Sequence, residues 1–168
     1  MAEKDQPVFT VDVSGDPVVL KINGRASYLT SGPVGSLFSL LIKEGKRHFI
    51  VDFGGCSGMD STFLGLLAGA ALRLQRKTSD GTMELWRLNA RNRELVNDLG
   101  LDRLLTIRTE PDPQHGVEGD FETLKSANVG TDSMLEAHQD LVKADESNAE
   151  KFEDVIQYLE RERNKNPK

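Results

Sequence analysis

Short apolar runs alternate with amphipathic stretches along the first two thirds of this chain, and that alternation constrains its fold more than any other feature. Val8-Phe9-Thr10-Val11-Asp12-Val13 switches between apolar and polar residues with period two, as a half-buried strand does. Ser14-Gly15-Asp16-Pro17 reads as a turn and Val18-Val19-Leu20-Lys21-Ile22 as a second strand, so the first two strands are expected to form a hairpin. Thr30-Ser31-Gly32-Pro33 offers the hydroxyls and early proline of a helix entrance. Val34, Leu37, Phe38, Leu41 and Ile42 follow at helical spacing, and Gly45 is a plausible stop. His48-Phe49-Ile50-Val51-Asp52-Phe53 predicts a central buried strand, and Gly54-Gly55-Cys56-Ser57-Gly58 a flexible loop. A second helix runs from about Phe63, and its small Gly65, Ala68, Gly69, Ala70 and Ala71 would let it approach a sheet closely. Thr82 to Leu88 alternates as a strand, Asn89 can cap a short helix holding Leu95, Val96 and Leu99, and Leu104 to Arg108 is a last strand. The order β-β-α-β-α-β-α-β implies a mixed, mostly parallel α/β sheet with helices on one side.

Charge divides the chain further. Residues 1–110 carry 14 Lys+Arg against 13 Asp+Glu, whereas residues 111–168 carry 7 against 14. The net −6 therefore belongs to the last third, and it argues against binding nucleic acid by phosphate neutralisation. Pro111-Asp112-Pro113-Gln114-His115-Gly116 reads as a linker. Two helical patterns follow, each opened by capping-box spacing, Ser133 with Glu136 and Ser147 with Glu150, which predicts an acidic αα-hairpin. Its apolar stripes could pack on the same chain, mediate a homodimer or cover a binding surface, and same-chain packing is favoured because it is nearest. The expected boundaries are a tail over 1–7, an α/β domain over 8–109, a linker over 110–130 and a helical extension over 131–168. The absence of an apolar stretch long enough to span a bilayer, or of a leader pattern, predicts a cytoplasmic protein.

The chemistry-bearing segment is Gly54 to Gly65. A buried strand, a glycine loop and a hydroxyl residue at a helix start make a corner suited to a phosphate, with free backbone N–H groups and the positive end of a helix dipole. Taken alone, Asp60 and Ser61 are also ordinary capping residues. The run from Val51 to Gly65, centred on Met59-Asp60-Ser61-Thr62-Phe63-Leu64-Gly65, resembles the strand, loop and "MDSSGLG" corner of STAS domains, the fold of anti-sigma factor antagonists and of the cytoplasmic tails of sulfate transporters. Leu99-Gly100-Leu101-Asp102-Arg103-Leu104-Leu105 resembles that family's "TGLDKLF" run before its last strand.

The resemblance implies a partner-switching regulator that is not an enzyme and needs no cofactor. Ser61 would be the phosphorylation site. The docking surface for an anti-sigma factor serine kinase of the GHKL ATPase type would comprise Gly58, Asp60, Ser61, Thr62 and Phe63, joined by Arg91 on the separate ground of its expected place at the same sheet edge, and a PP2C-type phosphatase would reset it. Phe63 stands where the family usually has glycine, and its ring is expected to shape partner choice. The alternative is a non-switching STAS scaffold or accessory subunit in a signalling or transport complex. An enzyme acting on a phosphorylated ligand ranks last, since no base or metal set accompanies the corner.

Other residues carry less. Arg87, Arg91 and Arg93 would share a sheet edge with Ser61 if their strand neighbours the one ending at Phe53. They are then either a solvated basic surface or a means of steadying phosphate. His48, His115 and His138 lack metal spacing, and His138 reads as a packed residue on an apolar stripe. Cys56 reads as a small loop or core residue.

Overall fold

The computed structural model describes residues 7–109 and 119–165. Six strands form one sheet in the order β5-β4-β3-β2-β1-β6. They are β1 (Phe9–Asp12), β2 (Val18–Ala26), β3 (His48–Met59), β4 (Thr82–Trp86), β5 (Thr106–Arg108) and β6 (Glu122–Leu124). β1 and β2 make the expected antiparallel hairpin, and β2, β3, β4 and β5 pair in parallel. The helices are α1 (Gly32–Lys43), α2 (Ser61–Lys77), α3 (Ala90–Asp98), α4 (Thr131–Ala144), α5 (Asn148–Lys151) and α6 (Glu153–Lys165).

Strand alternation sorts the side chains. Phe9, Val11, Leu20, Ile22, Phe49, Val51, Phe53 and Leu85 point to one face, where they meet Val34, Phe38 and Leu41 of α1, the apolar side of α2, and Val96 of α3. The amphipathic helices therefore lie on one side of the sheet, as their sequence periodicity requires. On the other face Val19, Ile50 and Trp86 form a small cluster against Phe121, whose ring also receives Lys21 Nζ at 4.3 Å from its centre.

Three expectations change. The glycine stretch Gly54 to Gly58 is strand, not loop: β3 continues through it to Met59, pairing Gly55 with Asn23 and Gly58 with Arg25 across two register shifts of β2. Glycine suits this extension because its neighbours press in; a Cβ on Gly54 would stand 2.7 Å from Arg87 Cζ. The stretch assigned to a linker over 110–130 holds an edge strand. β6 pairs antiparallel with β1, Val129 N donates to Tyr28 O at 2.7 Å, and Gly32 N donates to Ala127 O at 2.8 Å. Pro111 to Gly116 and the first six residues lie outside the described residues.

The helical extension is the third. Neither capping box forms: α4 starts from Gly130 without a side-chain cap, and Ser147 Oγ donates to Asp145 Oδ1 at 2.8 Å instead. The second helical pattern is broken at Phe152 into α5 and α6. α4 packs on α2, burying Leu135 and Leu141. Asn148, fully buried, donates from Nδ2 to Leu99 O at 2.9 Å and Leu141 O at 2.8 Å, and so ties α5 to the end of α3 and to α4.

Asp140 of α4 lies over Gly69 of α2, where a Cβ would meet its Oδ2 at 2.4 Å. Burial pushes the Asp140 carboxyl up, with Lys143 opposing. An acid raised on folding binds its proton more tightly folded than unfolded. The charged form therefore weakens docking above its folded value, and the penalty fades as pH falls toward the unfolded value of about 3.9. Asp140→Asn should raise the melting temperature at pH 7, with a gain that shrinks as the pH is lowered toward about 4. Thermal melts across that range measure it, and a gain independent of pH would contradict the cause given.

Candidate functional site

β3 delivers the chain to the start of α2 without an intervening loop. Asp60 follows Met59 in extended conformation, φ −118° and ψ 177°, and caps the helix: its Oδ1 accepts from Phe63 N at 2.9 Å. Its Oδ2 accepts from Tyr28 N, also at 2.9 Å, and fastens the β2–α1 connection to the same corner. Both carboxylate oxygens are thus committed to backbone N–H groups, so Asp60 sets geometry. Ser61 is the first residue of α2 and is half-buried. A negative charge on its oxygen would sit at the positive end of a long helix, beside unpaired first-turn N–H groups.

The remaining expected contact residues separate. Gly58 and Thr62 are buried. The Phe63 ring is 0% exposed, stacked on Phe9 at 5.8 Å between centres and edge-on to Phe53 at 6.3 Å. It belongs to the core, against the expectation that it shapes partner choice. Its site role is the N–H bonded to Asp60, because helical geometry turns the third residue of α2 inward while the first faces out. Arg91 is exposed at the start of α3 and does not line the cavity beside Ser61.

The basic residues do not converge on Ser61. Arg87 lies with Asp52 on the sheet face opposite the helices. Its Nε donates to Asp52 Oδ1 at 2.9 Å and its second terminal nitrogen to Oδ2 at 2.5 Å, a bidentate fork on a carboxylate only 3% exposed. Gly54 N adds a third bond to Asp52 at 2.9 Å. Arg93 borders a separate shallow groove with Leu88, Glu94 and Asn97.

What meets Ser61 comes from the extension. Ser61 Oγ lies 2.9 Å from Nε2 of His138 on α4. His138 Nδ1 lies 2.8 Å from Met134 O, a carbonyl that can only accept, so Nδ1 carries a proton. In the neutral imidazole Nε2 is then the acceptor and the Ser61 hydroxyl the donor. His138 is 2% exposed, with its ring edge-on to Phe152 at 5.2 Å. Ser61 also opens onto a cavity of about 480 Å³ bordered by Met59, Leu64, Leu95, Leu99 and Phe152.

The Ser61–His138 pair was not visible in the sequence as a pair, since the two residues lie far apart along it. One signal pointed that way. Gly65 and Gly69 share a helix face with Ser61, and that small-residue stripe admits α4 rather than the sheet: a Cβ on Gly65 would stand 2.4 Å from Ala137 O, next to His138. Cys56, the single cysteine, is buried, which pushes its thiol up. Among the described residues, no group of three or more His, Cys, Asp or Glu is placed to hold a metal, and no helix is long and apolar enough to cross a membrane.

A mixed sheet with helices on one side and a capped hydroxyl at the end of its central strand defines a class of small α/β domains, and sequence comparison narrows it. The family model described as "Mlab, STAS domain" matches residues 9–106, and the chain belongs to that STAS family. No curated protein matches the chain. Among solved structures it is similar to the anti-sigma factor antagonist SpoIIAA in its unphosphorylated form, with 19% identity and TM-score 0.52, covering 61% of this chain and 89% of that one. The phosphorylated form of the Bacillus cell fate determinant SpoIIAA matches with 23% identity and TM-score 0.50, covering 61% and 92%. An anti-sigma factor antagonist from Mycobacterium paratuberculosis matches with 14% identity and TM-score 0.51, covering 63% and 88%. These likenesses are of fold. β6 and α4 to α6 lie beyond the family match.

Proposed function

We infer that the protein is a cytoplasmic, non-enzymatic partner-switching regulator of the anti-sigma factor antagonist type. In its unphosphorylated form it binds a serine kinase of the GHKL ATPase type, phosphorylation of Ser61 ends the complex, and a PP2C-type phosphatase restores it. The observation that carries this reading is the position of Ser61: first residue of α2, directly after the capping Asp60, half-buried and open to a cavity. Phosphate adds about −1.5 to −2 charges at neutral pH. The free helix terminus tolerates that charge, whereas a desolvated interface does not, so modification breaks binding without refolding the domain. The SpoIIAA structures of similar fold include an unphosphorylated and a phosphorylated form.

The test is incubation of the full chain with such a kinase and ATP, read by intact mass. One added phosphoryl group is expected, absent in Ser61→Ala and retained in Thr62→Ala. A phosphoryl group that persists in Ser61→Ala would contradict the assignment. A second reading, a non-switching STAS scaffold, draws on the bond that His138 already makes to Ser61. It expects no phosphorylation of the full chain.

A further inference from the structure

Ser61 has a base within reach of its proton. His138 Nε2 is 2.9 Å from Ser61 Oγ, and the bond from Nδ1 to Met134 O holds the ring in the tautomer that leaves Nε2 free to accept. The imidazole is buried and lies outside the cavity lining, while Ser61 is part of that lining. The base therefore occupies one side of the oxygen and a space of about 480 Å³ opens on another. The close approach of α4 that brings the ring here depends on Gly65 and Gly69, four residues apart on the face of α2 that carries Ser61. The charged groups that line the cavity with Ser61 are Asp60 at the cap of α2, Asp98 of α3 and Lys151 of α5; Asp140, on the same helix as His138, is turned to Gly69.

We propose that His138 is the general base of Ser61, so that the C-terminal extension completes a nucleophilic site in cis and Ser61 is an activated hydroxyl. This rests on the reading of Ser61 as a phosphate acceptor. With a nucleoside triphosphate on the partner kinase, the Oγ–P bond forms as the bond from the γ-phosphorus to its bridging oxygen breaks. The nucleoside diphosphate leaves with the electron pair, and the hydroxyl proton passes to His138 Nε2. The resulting imidazolium, still bonded through Nδ1–H to Met134 O, faces the new phosphate as a charge-assisted donor. The apolar side chains that line the cavity, Leu64, Leu95, Leu99 and Phe152, limit competing water.

A kinase-free probe tests it. An alkyl fluorophosphonate phosphonylates an activated serine: Oγ–P forms, P–F breaks, fluoride leaves and the proton goes to the base. On the full chain, peptide mapping should find Ser61 labelled in preference to exposed Ser57 and Ser133, with no label at position 61 in Ser61→Ala. His138→Gln keeps a hydrogen-bond acceptor but not a base, and should slow labelling about 100-fold or more, within the range of general-base effects. Where His138→Gln does not fold, the solvent isotope effect on Ser61 labelling in the unaltered chain decides. Slower labelling in heavy water, the mark of a proton passing to a base in the transition state, supports the proposal, and an equal rate overturns it. Labelling of Ser61 no faster than Ser57, or unchanged in His138→Gln, also overturns it. Because no kinase takes part, such a failure leaves kinase phosphorylation of Ser61 standing as a separate result.

Discussion

Replacing Gly65 by alanine should destabilise the full chain by about 3 kcal/mol, the upper end for overpacking. In an isolated helix the same change is favourable by about 1 kcal/mol, so the expected sign is the reverse of the intrinsic preference. The reason is contact. The new Cβ would stand 2.4 Å from Ala137 O and 2.8 Å from Ala137 Cβ, and the first of these is main chain that cannot rotate away. α4 has to move off α2, which uncovers Leu135 and Leu141, lengthens the Ser61–His138 bond and loosens Asn148 from Leu99 O. Denaturant unfolding measures the loss, and amide exchange should rise in α4 before it rises in α1. A variant more stable than the parent would show that the two helices are not pressed together at Gly65.

Phe63→Ala should cost about 3–5 kcal/mol, the range for removing a fully buried phenylalanine. The ring is 0% exposed and touches Phe9 from β1 and Phe53 from β3, so its loss opens a void where the hairpin, the central strand and α2 meet. The denaturant midpoint should fall with an unchanged slope, the mark of altered stability alone. Phe63→Leu, which keeps most of the volume, should lose much less and leave phosphorylation at Ser61 intact. If Phe63→Leu instead left stability untouched and abolished phosphorylation, the ring would be a partner contact after all.

Much of the domain could be read from residue order. Period-two alternation located β1 and β4, short apolar runs located β2 and β3, and the stripe Val34, Leu37, Phe38, Leu41 and Ile42 located α1. Asp60 and Ser61 were legible because capping chemistry is local: the carboxylate reaches an N–H three residues on. What escaped was set by distant neighbours. Gly54 to Gly58 looked like loop because glycine has weak strand preference, yet the extended ends of β2 and β3 pair there. β6 is three residues long and mostly exposed, so it carries no hydrophobic pattern; only its pairing with β1 makes it strand. Arg87 read either as solvated basic surface or as a means of steadying phosphate, but Asp52, on the neighbouring strand and facing away from the helices, holds it in a bidentate pair. His138 on its apolar stripe had the pattern of a packed residue, and it is one; that its ring ends at Ser61 follows from the register of α4 on α2.

Phosphorylation of Ser61 as a switch is tested most directly by one comparison. The affinity of the cognate GHKL-type kinase is measured by calorimetry for the unphosphorylated full chain and for the same chain phosphorylated at Ser61 to completion. The phosphorylated form should bind at least about 100-fold more weakly, because a dianion placed in a desolvated interface costs several kcal/mol. Equal affinities for the two forms would contradict switching at Ser61.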